Sequence, residues 1–206
     1  LGNPEGAYPV IHVTGTNGKG STVRLVETLL TLMGLRVGSY TSPHLESVTE
    51  RIRVGAESIP DDEFGMVVGD IARTAEANQM DLTWFETATG AALLHFANEA
   101  VDVAIVEVGM LGRYDATNVV DARIAVVTNV GFDHTSGEGD WRAMVAKEKA
   151  GIITPESVLV LGATDPALVP IFLNEGPART VYGGEDFEVV EDRLAEGATT
   201  PGVLDG

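Results

Sequence analysis

The stretch VIHVTGTNGKGST, residues 10–22, decides how the rest of this chain is read. A short, mostly β-branched apolar run enters a turn holding Gly15, Gly18 and Gly20, with Lys19 between the last two. Ser21 and Thr22 follow, and a helix-like pattern starts behind them. Strand, glycine-rich turn and helix in that order suit a phosphate. Glycines let backbone N–H groups approach the oxygens, the helix N-terminus adds positive potential, and the lysine supplies a full charge. Thr16, Asn17, Gly18, Lys19, Gly20, Ser21 and Thr22 are therefore the candidate nucleotide-binding residues, with the Ser21 or Thr22 hydroxyl suited to Mg2+. The spelling departs twice from the common P-loop, G-x-x-x-x-G-K-[ST]. Val13 stands where its first glycine belongs, and Gly20 separates Lys19 from Ser21.

Outward from the loop, residues 101–108, 123–130 and 157–162 are Val- and Ile-rich runs without clean alternation, as parallel strands buried on both faces require. Residues 36–40 and 179–182 are weaker strands, and 50–59 reads as a hairpin turning at Gly55-Ala56. Helical spacing links Val26, Leu29, Leu30 and Met33, with Gly34 as the stop. Pro60 and the acids 61–63 open a second helix, Trp84 to Phe96 gives a third, and Trp141, Met144 and Val145 a fourth. Strands alternating with helices predict a three-layer, doubly wound, mostly parallel α/β sheet of P-loop NTPase type. Residues 1–184 are expected to form one ATP-binding domain. Residues 185–206, with seven acids against Arg193, read as an acidic Gly- and Pro-containing tail at its edge.

The 206 residues carry 31 acids against 13 bases, a net charge of −18, which stands against a nucleic-acid partner. There is no cysteine, which removes disulfides and thiolate metal sites. No apolar stretch approaches the ~18 residues of a membrane span, so no membrane partner and a cytoplasmic location are expected.

Glu107 closes an apolar strand. A carboxylate at the carboxyl end of a parallel strand lies on the edge where such sheets bind ligands, placed to hold Mg2+ opposite the phosphates. His134 emerges from the same edge after the following strand.

The loop spelling G-T-N-G-K-G-S resembles that of the Mur ligase superfamily. TSPHL (41–45), TWFE (83–86), EVGMLGRYDATNVV (107–120), TNVGFDHT (128–135) and EKAGI (148–152) occur in the order seen in folylpolyglutamate and dihydrofolate synthases. The resemblance covers roughly residues 8–155 and is weak beyond. It implies the Mur ligase central-domain fold and an ATP-dependent ligase that adds L-glutamate to a folate or dihydropteroate carboxylate through an acyl phosphate. It also implies Lys19, Glu107, His134 and Lys149 in catalysis, and Ser21, Ser42, Glu107 and His134 as metal-facing groups at up to two Mg2+ sites. Lys149 takes the place of a lysine that Mur-type ligases often carry as a carbamate, with Lys147 as its neighbouring decoy. Arg51, Thr83, Phe85 and Asp115 would serve the pterin substrate, with Trp84 or Phe85 as the stacking face. Other Mur-type amide ligases, a non-catalytic ATP-binding module and a simple phosphotransferase are the competing functions; the interposed Gly20 disfavours the last. The implied relatives carry an N-terminal helix and a C-terminal glutamate-binding domain not recognised in this sequence. The chain alone, expected as a monomer, should thus bind Mg-ATP weakly and turn over slowly or not at all.

Overall fold

Strand β1 (Val10–Thr14) lies in the interior of the sheet and delivers its carboxyl end straight into the glycine loop. The computed structural model describes residues 1–133, 135 and 137–186. Helix α1 (Lys19–Leu32) leads to β2 (Val37–Tyr40), and the hairpin β3 (Ile52–Val54) and β4 (Glu57–Ser58) follows. Helices α2 (Asp61–Ala77) and α3 (Trp84–Asn98) precede β5 (Val103–Glu107). The chain continues through β6 (Ala122–Asn129), α4 (Trp141–Ala150), β7 (Val158–Ala163), α5 (Val169–Leu173) and β8 (Arg179–Tyr182).

The sheet order is β4-β3-β2-β5-β1-β6-β7-β8. Strands β2, β5, β1, β6, β7 and β8 run parallel, while the β3–β4 hairpin pairs antiparallel at one edge. From β1 the chain goes to β2 on one side and, after β5, crosses to β6 on the other. The strand order therefore reverses at β1, and the crevice beyond its carboxyl end is the ligand position of open α/β sheets.

Alternation along β1 sorts the helices. Val13 points to the face covered by α1 through Val23, beside Val37, Val103 and Ile105. Val10, Ala104 and Val106 meet α3 and α2 through Phe96, Ala92 and Ile71 on the other face. Ala125 and Val127, in register with His12 and Thr14 on that second face, pack against Ala146, Ala150 and Phe172 of α4 and α5. Gly38 is required by this packing: a Cβ there would stand 2.7 Å from the Phe96 ring.

The stripe expected on α1 is rotated. Val26 and Leu30 pack on the sheet, but Leu29 and Met33 are exposed, and Val23 and Glu27 are the buried positions. The departure arises because Glu27 turns inward as a partnered carboxylate. It accepts from Ser39 Oγ at 2.7 Å, from Arg24 at 3.1 Å and from Arg53 at 3.3 Å. Periodicity that scores only apolar residues cannot see a buried ion network. Gly34 ends the helix as expected, at φ 88°, where a side chain would be strained.

Candidate functional site

The glycine loop is fastened to the end of β6 before it reaches α1. Asn17 N–H donates to Asn129 Oδ1 at 3.0 Å, and the Asn17 carbonyl accepts from Asn129 Nδ2 at 3.0 Å and Thr128 Oγ1 at 2.7 Å. Gly131 N–H donates to Thr16 Oγ1 at 2.9 Å. Gly15 makes the close approach possible, since a Cβ there would fall 1.8 Å from Thr128 Oγ1, and its φ of 150° is one L side chains rarely adopt. Lys19 Nζ donates to the Gly15 carbonyl at 2.9 Å, spanning the loop. The Thr22 hydroxyl donates to Gly18 O at 2.8 Å, while Ser21 is exposed. Neither Thr128 nor Asn129 was singled out from the sequence; only their place in TNVGFDHT pointed there.

Glu107 is 4 % exposed at the end of β5 and belongs to the same neighbourhood. Burial pushes its carboxyl group above the usual carboxylate range, opposed by the Ser42 N–H and the charges of Lys19, Arg24 and Arg51. Ser42 reaches it through the backbone amide, 3.1 Å from Oε2. The interposed Gly20 lies against this carboxylate: a Cβ would sit 3.5 Å from Oε2, so glycine keeps the approach to Glu107 uncovered. Oε1 accepts no hydrogen bond among the described residues. A partly desolvated carboxylate with spare acceptor capacity, beside a hydroxyl-bearing loop, fits a hard divalent cation. His134 lies outside the described residues.

The structure separates the two lysines of α4. Lys147 is exposed, whereas Lys149 is fully buried and donates to Asp133 Oδ2 at 2.5 Å. Burial lowers the Lys149 pKa, with Asp133 pulling it up and the Lys19 charge pushing it further down. The Lys19 charge acts on both Lys149 and Glu107.

Beside the loop opens a cavity of about 680 Å3 lined by Ser42, Arg51, Thr83, Phe85 and Asp115 together with Met110. All four residues expected to serve the substrate line it. Phe85, not Trp84, offers its ring; Trp84 instead packs under Arg51, whose guanidinium carbon is 4.6 Å from the indole centroid. Arg51 is nearly buried and its Nε donates to His44 Nδ1 at 2.8 Å. Thr83 and Asp115 also have structural duties. The Thr83 hydroxyl caps α3 in a reciprocal box with Glu86. Asp115 Oδ2 accepts from Met110 N–H at 2.8 Å, and Oδ1 accepts from Thr117 Oγ1 at 2.5 Å.

Behind Asp115 stands His12, which sequence reading passed over as a strand residue. Because the Thr117 hydroxyl donates to Asp115, its oxygen accepts from His12 Nε2 at 2.9 Å, which assigns the proton to Nε2. Nδ1 is buried without a partner among the described residues. Burial lowers the His12 pKa to about 4.

Among the described residues no helix is long and apolar enough to cross a membrane. Residues 13–196 match the family model of the Mur ligase middle domain. The chain is 42% identical over 202 residues to a probable bifunctional folylpolyglutamate synthase/dihydropteroate synthase of Haloferax volcanii, covering 96% of this chain and 24% of that protein. It is 38% identical over 217 residues to the dihydrofolate synthase/folylpolyglutamate synthase of Mycobacterium tuberculosis, covering 96% of this chain and 45% of that one. The fold superposes on the Mycobacterium tuberculosis folylpolyglutamate synthase complexed with ADP with a TM-score of 0.85 and 38% identity, over 92% of this chain and 45% of that structure. It is also similar, at TM-score 0.81 and 33% identity, to a bifunctional folylpolyglutamate synthase/dihydrofolate synthase with Mn, AMPPNP and L-glutamate bound, over 89% of this chain and 45% of that structure. The chain thus spans less than half the length of these relatives.

Proposed function

This chain belongs to the Mur ligase family through its middle domain, and on that premise we propose that it carries the nucleotide site and the pterin-side pocket of an ATP-dependent ligase. The reaction joins L-glutamate to a folate or dihydropteroate carboxylate. Relatives named for both activities, one bound to ADP and one to Mn, AMPPNP and L-glutamate, support the reading. The observation that carries it is the meeting, at one topological reversal, of an amide-rich loop, a buried acid and a cavity large enough for a bicyclic ligand. A module that only senses ATP needs no such second cavity.

In the first step the substrate carboxylate attacks the γ-phosphorus of ATP, giving an acyl phosphate and ADP. The neutral amine of L-glutamate then attacks the activated carbonyl carbon: the C–N bond forms, the C–O bond breaks with its electron pair leaving on inorganic phosphate, and the amine gives up one proton to that phosphate or to water. The obstacle in the first step is an anion approaching a polyanion. Loop N–H groups from Gly18 to Ser21 and the Lys19 ammonium supply fixed positive ends facing that charge, already oriented before reaction, while the Thr16 and Asn17 N–H groups hold the loop to Asn129. Clamping by Thr128 and Asn129 keeps those amides from relaxing. Arg51, held by His44 and Trp84, is a rigid cation at the rim of the cavity, suited to a substrate carboxylate. Phe85 gives the pterin ring a face, and Asp115, anchored by Thr117 and Met110, an acceptor for its amino edge. Ser21, Ser42, Glu107 and His134 would hold Mg2+, which supplies charge neutralisation between phosphate and carboxylate oxygens. Lys149, buried and held toward its neutral form, is the position for a carbamate; isotope-labelled bicarbonate followed by NMR tests that assignment.

Calorimetry with Mg-AMPPNP on the native chain and on Lys19→Ala tests the site. The substitution should abolish nucleotide binding and leave far-UV circular dichroism unchanged. Unchanged affinity refutes the phosphate-loop assignment. Release of ADP dependent on both L-glutamate and a folate or dihydropteroate, by a chain of the relatives' full length, tests the reaction.

A further inference from the structure

At the other edge of the sheet, where the parallel strands begin, three ligand-type side chains from two helices converge. Glu63 lies in the first turn of α2, His95 in the last turn of α3, and Glu99 caps that helix. His95 and Glu99 are four residues apart and so share one helix face. Packing of α2 against α3 brings Glu63 to meet them. One donor atom from each residue lies within 4.8 Å of the other two, and His95 Nδ1 is 3.7 Å from Glu63 Oε2. Ligands about 2.0–2.1 Å from a tetrahedral zinc ion stand roughly 3.3–3.5 Å apart, so a small closure completes the polyhedron. We propose that Glu63, His95 and Glu99 form a binding site for a divalent cation of the zinc class, which ties the start of α2 to the end of α3.

Two observations point to a cation. His95 is 4 % exposed, makes no hydrogen bond among the described residues, and lines a cavity of about 220 Å3. Its nearest carboxylate oxygen, on Glu63, stands at 3.7 Å, beyond hydrogen-bond reach, and a ring so placed beside a cavity can give its Nδ1 lone pair to a cation. Second, that cavity is lined by the carboxylates of Glu57, Glu63 and Glu99 against the single cation Arg36, an excess of two negative charges that one divalent ion cancels. One imidazole with two carboxylates selects a borderline ion over magnesium, which prefers oxygen alone.

Arg36 competes for Glu99, pairing with its carboxylate through Nη2. Its Nε also donates to the Glu99 carbonyl at 2.8 Å, so the arginine keeps an anchor when the carboxylate turns to the metal. The pair is half-exposed and screened, which makes it a weak competitor for a divalent ion. The site lies one strand length, roughly 15 Å, from Glu107 at the far end of β5, and is therefore independent of the nucleotide site.

The test is a titration of the whole chain with Zn2+ followed by calorimetry, and with Co2+ followed by visible absorption, whose intensity reports a low-coordinate N/O site. Native protein should bind one such ion, with a rise in Tm. Glu63→Gln and Glu99→Gln keep shape and remove one donor charge each, and both should weaken Zn2+ binding by roughly tenfold or more. Glu107→Gln should retain it. Neither variant touches the buried imidazole, so both are expected to fold. Absence of binding by the native chain, native affinity retained in the two glutamine variants, or loss in Glu107→Gln alone would each overturn the site.

Discussion

Acidification should weaken this fold through one residue in particular, His12. The ring is fully buried, its Nε2–H is spent on Thr117 and its Nδ1 has no partner, so a second proton has nowhere favourable to sit. Its pKa in the folded chain is about 4, against 6.5 when solvated. Between those values the unfolded chain binds the proton and the folded chain does not, so stability rises with pH across this window. The contribution is fully present above pH 6.5 and is lost as pH falls toward 4. A gap of about 2.5 pH units at about 1.4 kcal/mol each amounts to roughly 3 kcal/mol. The many acids of the chain titrate in the lower part of the same range, so the comparison must be internal. His12→Gln keeps a donor near Nε2 for Thr117 and removes the titration. Urea denaturation of both proteins from pH 7.5 to 4.5 should show the native chain losing about 1.4 kcal/mol more per pH unit below 6.5 than the variant. Parallel pH profiles would refute the burial argument, and with it the Nε2–H assignment that anchors Asp115.

Gly15→Ala drives a methyl group into Thr128 Oγ1 and should cost at least tenfold in AMPPNP affinity, about 1.4 kcal/mol by calorimetry, through loss of the loop clamp. Phe85→Ala should weaken binding of a pterin analogue while leaving AMPPNP affinity within about twofold, because the ring faces the cavity and not the loop; equal loss of both would place it elsewhere. Arg53→Met removes one partner of the buried Glu27 and should lower stability by about 1–2 kcal/mol in chemical denaturation, the arginine itself being partly solvated. Lys147→Met should leave the activity of a full-length ligase unchanged where Lys149→Met abolishes it, since the first lysine is exposed and only the second is buried against Asp133.

Much of the architecture was legible because it is local. The Val-rich runs, the glycine loop and the stop at Gly34 each declare themselves within a few residues, through period, backbone freedom or helix-ending chemistry. Glu107 was legible as well, since the carboxyl end of an apolar strand fixes its edge of the sheet. The motif order that named the family lies in the same linear record.

What the chain order alone did not decide involves partners on different elements, from about a dozen to more than a hundred residues apart. Thr128 and Asn129 grip Asn17 only because β6 is laid beside β1. Lys149 differs from Lys147 only by which side of α4 faces Asp133, and Trp84 from Phe85 only by where Arg51 comes to rest. Glu27 carries no burial signal in the apolar spacing of α1; Arg24, Arg53 and Ser39 close around it only in the fold. Glu63, His95 and Glu99 carry no motif at all; two helices assemble them. Periodicity encodes which face of an element is apolar. Which polar groups end up sharing low-dielectric space is set by how the elements pack, and that is where charge, proton position and metal affinity are determined.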